Sequence, residues 1–130
     1  MILCLNLCDA ILSLNRTKTI EQIISEEEQQ CNCHFSTIYI GSYFCEQYFL
    51  HIDISIIQKI AEYCKNTHRN VSIVIPQSSQ KDLQQIKKVI HQWFIVLSSH
   101  LESFTVNDYG MARYISEKYP LHFIFLGRLL

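Results

Sequence analysis

Apolar, β-branched and aromatic residues gather in five short runs along the chain: Ile2 to Leu7, Thr37 to Ile40, Val71 to Ile75, Ser103 to Val106 and Leu121 to Leu126. Several are apolar on consecutive positions, the pattern of a strand covered on both faces. The run LHFIFL at 121–126 is the clearest. Between the runs the period lengthens to that of a helix. Leu83, Ile86, Ile90, Trp93, Phe94 and Leu97 form one stripe, and Ser79 with Asp82 three residues on has capping-box spacing at its start. A second helix after Asp53 places Ile57, Ile60, Ala61 and Cys64 on one face. A third, from about Thr19 to Gln30, carries Ile20, Ile23 and Ile24 ahead of the acidic run Glu26 to Glu28. The last, from about Asp108 to Lys118, turns Met111, Tyr114 and Ile115 inward and is ended by Pro120.

Strand alternating with helix at this spacing predicts right-handed βαβ crossovers and a parallel sheet. The expected fold class is therefore α/β, with alternating βα units in order βαβαβαβαβ. With 130 residues, 48% of them apolar, the chain reads as a single β/α domain over 1–130. A closed eight-stranded barrel needs about 250 residues, so the expectation is a partial, about five-stranded TIM-like barrel.

Charge leaves some functions without support. Eleven basic against 12 acidic residues leave a net charge of -1, which gives no nucleic-acid signal because no broad positive field is present. The opening MILCLNLCDAILSL lacks a basic start and holds Asn6 and Asp9 within its apolar run, so it reads as a buried strand and a loop, not a signal peptide. No apolar run reaches the roughly 18 residues of a membrane span. The expected location is cytoplasmic, with no membrane partner. Six cysteines are then read as reduced thiols, with Cys4 and Cys64 on apolar faces.

Ligands of parallel β/α folds approach the carboxyl ends of the strands. That rule selects Asn6 and Asp9, Gly41 and Ser42, Gln77 and Ser78, Asn107 and Asp108, and Gly127 and Arg128. Asn107 and Asp108 present an amide and a carboxylate, either to a substrate or as a helix N-cap. Gly110 in the first turn of the following helix points to a close approach by backbone or ligand. Arg128, after Gly127, is placed to clamp a carboxylate or phosphate, or to form a rim salt bridge. Cys31, Cys33 and His34 are potential soft ligands, but a structural zinc site needs about four, and in an extended loop Cys-x-Cys sends its side chains to opposite sides; no metal site is assigned. Tyr43, Phe44, Tyr48 and Phe49 read as a packed loop, and His122 as a hydrogen-bonded core residue.

Val106-Asn107-Asp108-Tyr109-Gly110, followed by a helix and then Leu126-Gly127-Arg128-Leu129-Leu130, resembles the "ND[WY]G … GR" pattern in the N-terminal barrel of the peptidase U-32 family, also called collagenase-like proteases. Ile38-Tyr39-Ile40-Gly41 resembles that family's strand-two "YxG" element. The likeness spans Thr37 to Leu130. It implies a hydrolase of the protease type or a hydroxylase acting on RNA bases or quinone precursors. It also implies that Asn107, Asp108 and Arg128, at the barrel mouth, are catalytic candidates, while the strand-end rule offers Asn6, Gly41, Ser42, Gln77 and Gly127 as substrate-binding candidates. Hydroxylases of the family carry an iron–sulfur cluster held by cysteines in the later half of the protein. None of the six cysteines here maps onto those ligands, so no cofactor is evident.

Two functions from different classes follow as expectations. One is a truncated or partial enzyme of this type acting on an unknown substrate. The other is a non-catalytic β/α interaction module, in which a homo-oligomer or partner chain covers the open sheet edge at Ile124 and Phe125.

Overall fold

The structure is a computed structural model and describes residues 4–8 and 19–127. Five strands, β1 (Cys4–Asn6), β2 (Thr37–Gly41), β3 (Asn70–Ile75), β4 (Leu101–Val106) and β5 (Phe123–Leu126), form one sheet in the order β1-β2-β3-β4-β5. Every pairing is parallel. The helices are α1 (Ile20–Cys31), α2 (Glu46–Leu50), α3 (Ile54–Thr67), α4 (Leu83–Leu97) and α5 (Tyr109–Lys118). This is the α/β arrangement of consecutive βα units found in part of a TIM-like barrel.

The core lies between the sheet and its helices. Ile38 and Ile40 of β2, Val71, Ile73 and Ile75 of β3, and Phe104 and Val106 of β4 pack against Ile24, Ile57, Ile60, Ile86, Ile90, Trp93 and Ile115. Phe49 of α2 meets Trp93 with ring centroids 4.6 Å apart. Helix α2 has no counterpart in the periodicity, because five residues cannot establish a 3.6-residue period. Its segment contains Tyr48 and Phe49 of the expected packed loop.

Caps set the helix boundaries. Thr19 and Gln22 form a reciprocal capping box on α1, Asp53 caps α3 through Ser55 N–H, and Asp108 caps α5. Ser79 does not cap α4, which begins at Leu83 after Asp82. Its hydroxyl accepts from Asp82 N–H and donates to Glu46, tying the loop before α4 to α2 across the strand ends.

Three further expectations are corrected. LHFIFL is not covered on both faces: Leu121 is 93% exposed, Phe123 71% and Phe125 51%, because β5 is a sheet edge among the described residues and only Ile124 packs on the core. Cys4 is exposed, since β1 is a sheet edge among the described residues and its register places Cys4 opposite Thr37 on the face away from the helices. Cys-x-Cys is not in an extended loop: Cys31 ends α1 and Asn32 turns left-handed (φ 51°, ψ 49°) to close it. Cys64 is fully buried, as expected.

Candidate functional site at the strand ends

Strand alternation defines a second sheet face, opposite the helices. It carries Asn6, Thr37, Tyr39, Ser72, Val74, Ser103, Thr105, Phe123 and Phe125, as the pairings of Ser72 with Ser103 and of Thr105 with Phe125 require. The register slips by one between β3 and β4, leaving Glu102 as the extra residue. Its carboxylate accepts the Thr37 hydroxyl at 2.8 Å.

A cavity of about 410 Å³ opens on this face at the carboxyl ends of the strands, lined by Asn6, Tyr39, Tyr43, Thr105, Phe125, Leu126 and Gly127.

The expected site residues fall into three groups around this cavity. Asn6 and Gly127 line it. The Asn6 carboxamide oxygen accepts Cys8 N–H at 2.8 Å, so its amide N–H groups remain as donors. Asn107 stands behind Gly127 and is buried, with Nδ2 donating to the Ile75 carbonyl at 3.0 Å. Its Oδ1 points at Gly127 so closely that a Cβ there would overlap it. Asp108 joins two loops: one carboxylate oxygen accepts Met111 N–H at 2.6 Å and the other accepts Ser78 N–H at 3.2 Å.

Gly41, Ser42 and Gln77 lie outside the cavity lining. Gly41 has φ 120°, and a Cβ would collide with the Val74 carbonyl, so the close approach of β2 to β3 requires glycine here. Ser42 is buried, and its hydroxyl accepts Phe44 and Cys45 N–H groups to shape the turn into α2. Gln77 is exposed. Asp9 and Arg128 lie outside the described residues. At Gly110 a Cβ would meet only Asp108 Oδ1, at an ordinary 3.4 Å, so among the described residues no backbone makes the close approach. His122 sits edge-on to Phe94 and Phe104, and its buried Nδ1 has no hydrogen-bond partner among the described residues.

Tyr39, Thr105, Phe125 and Leu126 were not among the sequence-based site residues, and Tyr43 entered only as part of an aromatic cluster. The signal for two of them was present in the polar alternation of Thr37 and Tyr39 along β2 and of Ser103 and Thr105 along β4. Burial, then the Cys4 thiol, the Tyr43 phenol and the Glu102 charge push the Tyr39 phenol upward, so it remains protonated at neutral pH.

The described cysteines do not fit an iron–sulfur cluster, which takes about four convergent thiolates. They are spread over β1 (Cys4), the turn after it (Cys8), the end of α1 (Cys31, Cys33), the start of α2 (Cys45) and the core (Cys64). Among the described residues no three Cys, His, Asp or Glu side chains converge as a metal site. No helix among them is long and apolar enough to cross a membrane. No protein-family model, curated protein or solved structure matches this chain.

Proposed function

We propose that the chain is part of a peptidase U-32-like barrel and carries the substrate-binding mouth of a hydrolase-type enzyme. The supporting observation is that the two segments carrying the resemblance meet in space: Asn107 of NDYG abuts Gly127 of LGRLL beside the cavity. In this reading Asn107 sets the position of β5 against β4, and Asp108 holds the loops after β3 and β4 together. Arg128, next in the chain after the cavity-lining Gly127, supplies the cation that clamps a substrate carboxylate. The test is turnover of a fluorogenic gelatin substrate by the wild type and R128A. The expected result is at least a tenfold loss of kcat/KM with unchanged thermal unfolding. No wild-type turnover, or turnover unaffected by the substitution, overturns the reading.

A second reading, a non-catalytic module completed by another chain, is favoured by the exposed apolar residues Leu121, Phe123, Phe125 and Leu126. Light scattering during size-exclusion chromatography decides it. Concentration-dependent association supports the module, and a clean monomer throughout removes it.

A further inference from the structure

We propose that Cys31 and Cys33 form a redox-active vicinal dithiol, which closes to a reversible disulfide by exchange with a low-molecular-weight disulfide of the glutathione class. The pair lies where α1 ends and the chain turns into β2, at the amino ends of the strands. The cavity opens at the carboxyl ends, so the proposal is independent of the barrel-mouth chemistry.

Closure of the helix brings the two cysteines together. Asn32 between them is left-handed (φ 51°, ψ 49°), nearly the mirror image of helical backbone. Because a mirror image preserves distances, the Cα atoms on either side of it stand about 5.4 Å apart, as residues two apart do in a helix with a rise of about 1.5 Å and a radius of about 2.3 Å. That falls within the Cα separations of disulfides, about 4.4–6.8 Å. The side chains converge as well, for the two thiols are in hydrogen-bond contact. Backbone bonds hold the turn: the Glu28 carbonyl accepts the N–H groups of Asn32 and, at 3.2 Å, of Cys33, while the Glu28 carboxylate accepts Phe35 N–H at 2.9 Å.

The two thiols differ in role. Cys31 is exposed and Cys33 half-buried, so Cys31 is the one an incoming disulfide reaches. Burial, then the charge and hydrogen bond of Cys31 and the charge of Glu28, push the Cys33 thiol up, which keeps a proton on Cys33 while Cys31 attacks. The Cys31 thiolate displaces one thiolate from the incoming disulfide and is left in a mixed disulfide. Cys33 then loses its proton, attacks the Cys31 sulfur and displaces the second thiolate. Two protein thiols are oxidised, one disulfide is reduced to two thiols, and the two protons end on the released thiols. The loop so closed holds one intervening residue, so it removes little entropy from the unfolded chain. The bond stores two electrons without stapling the fold.

The reduced full chain is exposed to buffers of graded reduced-to-oxidised glutathione ratio, quenched with N-ethylmaleimide and mapped by mass spectrometry of chymotryptic peptides. The expected result is a Cys31–Cys33 disulfide that forms at least tenfold faster than glutathione adducts at the exposed Cys4 and Cys45 and is reversed by reduced glutathione. Cys33→Ser should trap a glutathione adduct on Cys31. Asn32→Val, whose β-branched side chain resists left-handed backbone, should slow closure at least fivefold, whereas Asn32→Gly, which accepts that backbone, should not. Absence of the Cys31–Cys33 disulfide at every ratio, adducts at Cys4 or Cys45 that form as fast, or closure at the wild-type rate in N32V overturns the proposal.

Discussion

The Asn107 side-chain oxygen occupies the space where a Cβ on residue 127 would stand, and the Asn107 Cγ would lie 2.8 Å from that Cβ. Asn107 is buried and held by the Ile75 carbonyl, so it cannot swing aside without breaking that bond. Gly127→Ala should therefore lose about 1–3 kcal/mol, the usual cost of overpacking. In urea denaturation the N107A/G127A double variant should fall short of the sum of the single losses by about 1 kcal/mol or more, since neighbouring sites couple.

The two remaining glycines predict opposite signs. Gly41→Ala forces a side chain into the left-handed region and onto the Val74 backbone, and should destabilise by more than about 1 kcal/mol. Gly110→Ala meets only Asp108 Oδ1 at 3.4 Å inside α5, and should stabilise by up to about 1 kcal/mol through helix propensity. Thermal unfolding of the two variants reads both.

Acid should weaken the tie between α1 and the start of β3. Burial alone would push the Glu28 carboxyl up, but hydrogen bonds from Arg69 and the Phe35 N–H, with the charges of Arg69 and His34, outweigh it and hold the carboxyl below its ordinary value of 4.5. A depressed folded pKa gives stability that is fully present above the unfolded value and lost as pH falls through the folded one. Wild-type stability should therefore decline below about pH 4.5, and Glu28→Gln should flatten that decline. The same substitution should cost on the order of 2 kcal/mol at pH 7 by leaving the buried Arg69 guanidinium without its carboxylate. Equilibrium unfolding across pH measures both effects.

Cys64 should resist alkylation. Burial pushes its thiol up to about 11, and thiolate is the reacting species. Mass-resolved iodoacetamide labelling of native protein at pH 8 should modify the exposed Cys4 and Cys31 at least tenfold faster than Cys64.

Much of the fold was legible because core periodicity is a strong physical signal. The Ile86–Ile90–Trp93–Leu97 stripe and the alternation of strands with helices led directly to the observed order. The β5 segment misled because Leu, Phe and Ile look the same whether covered or bare, and exposure depends on which elements lie beside the strand. The strand-end rule found Asn6 and Gly127 but missed Thr105 and Phe125, which precede the loops and reach the cavity by pointing away from the helices. Ser42 has a structural reason for its polarity that spacing alone does not reveal: it shapes a turn.

The sequential strand order also bears on how the chain is made. Among the described residues each strand pairs only with its immediate predecessor and successor, so no strand pairing waits for a distant segment to emerge from the ribosome. Pairing of sequence neighbours keeps the contact order lower than pairing of more distant strands would, and domains assemble as the chain is synthesised at about 5–20 residues per second. The sheet is then expected to grow strand by strand from β1, with each new strand docking on a template already in place and β5 the last of these five to join.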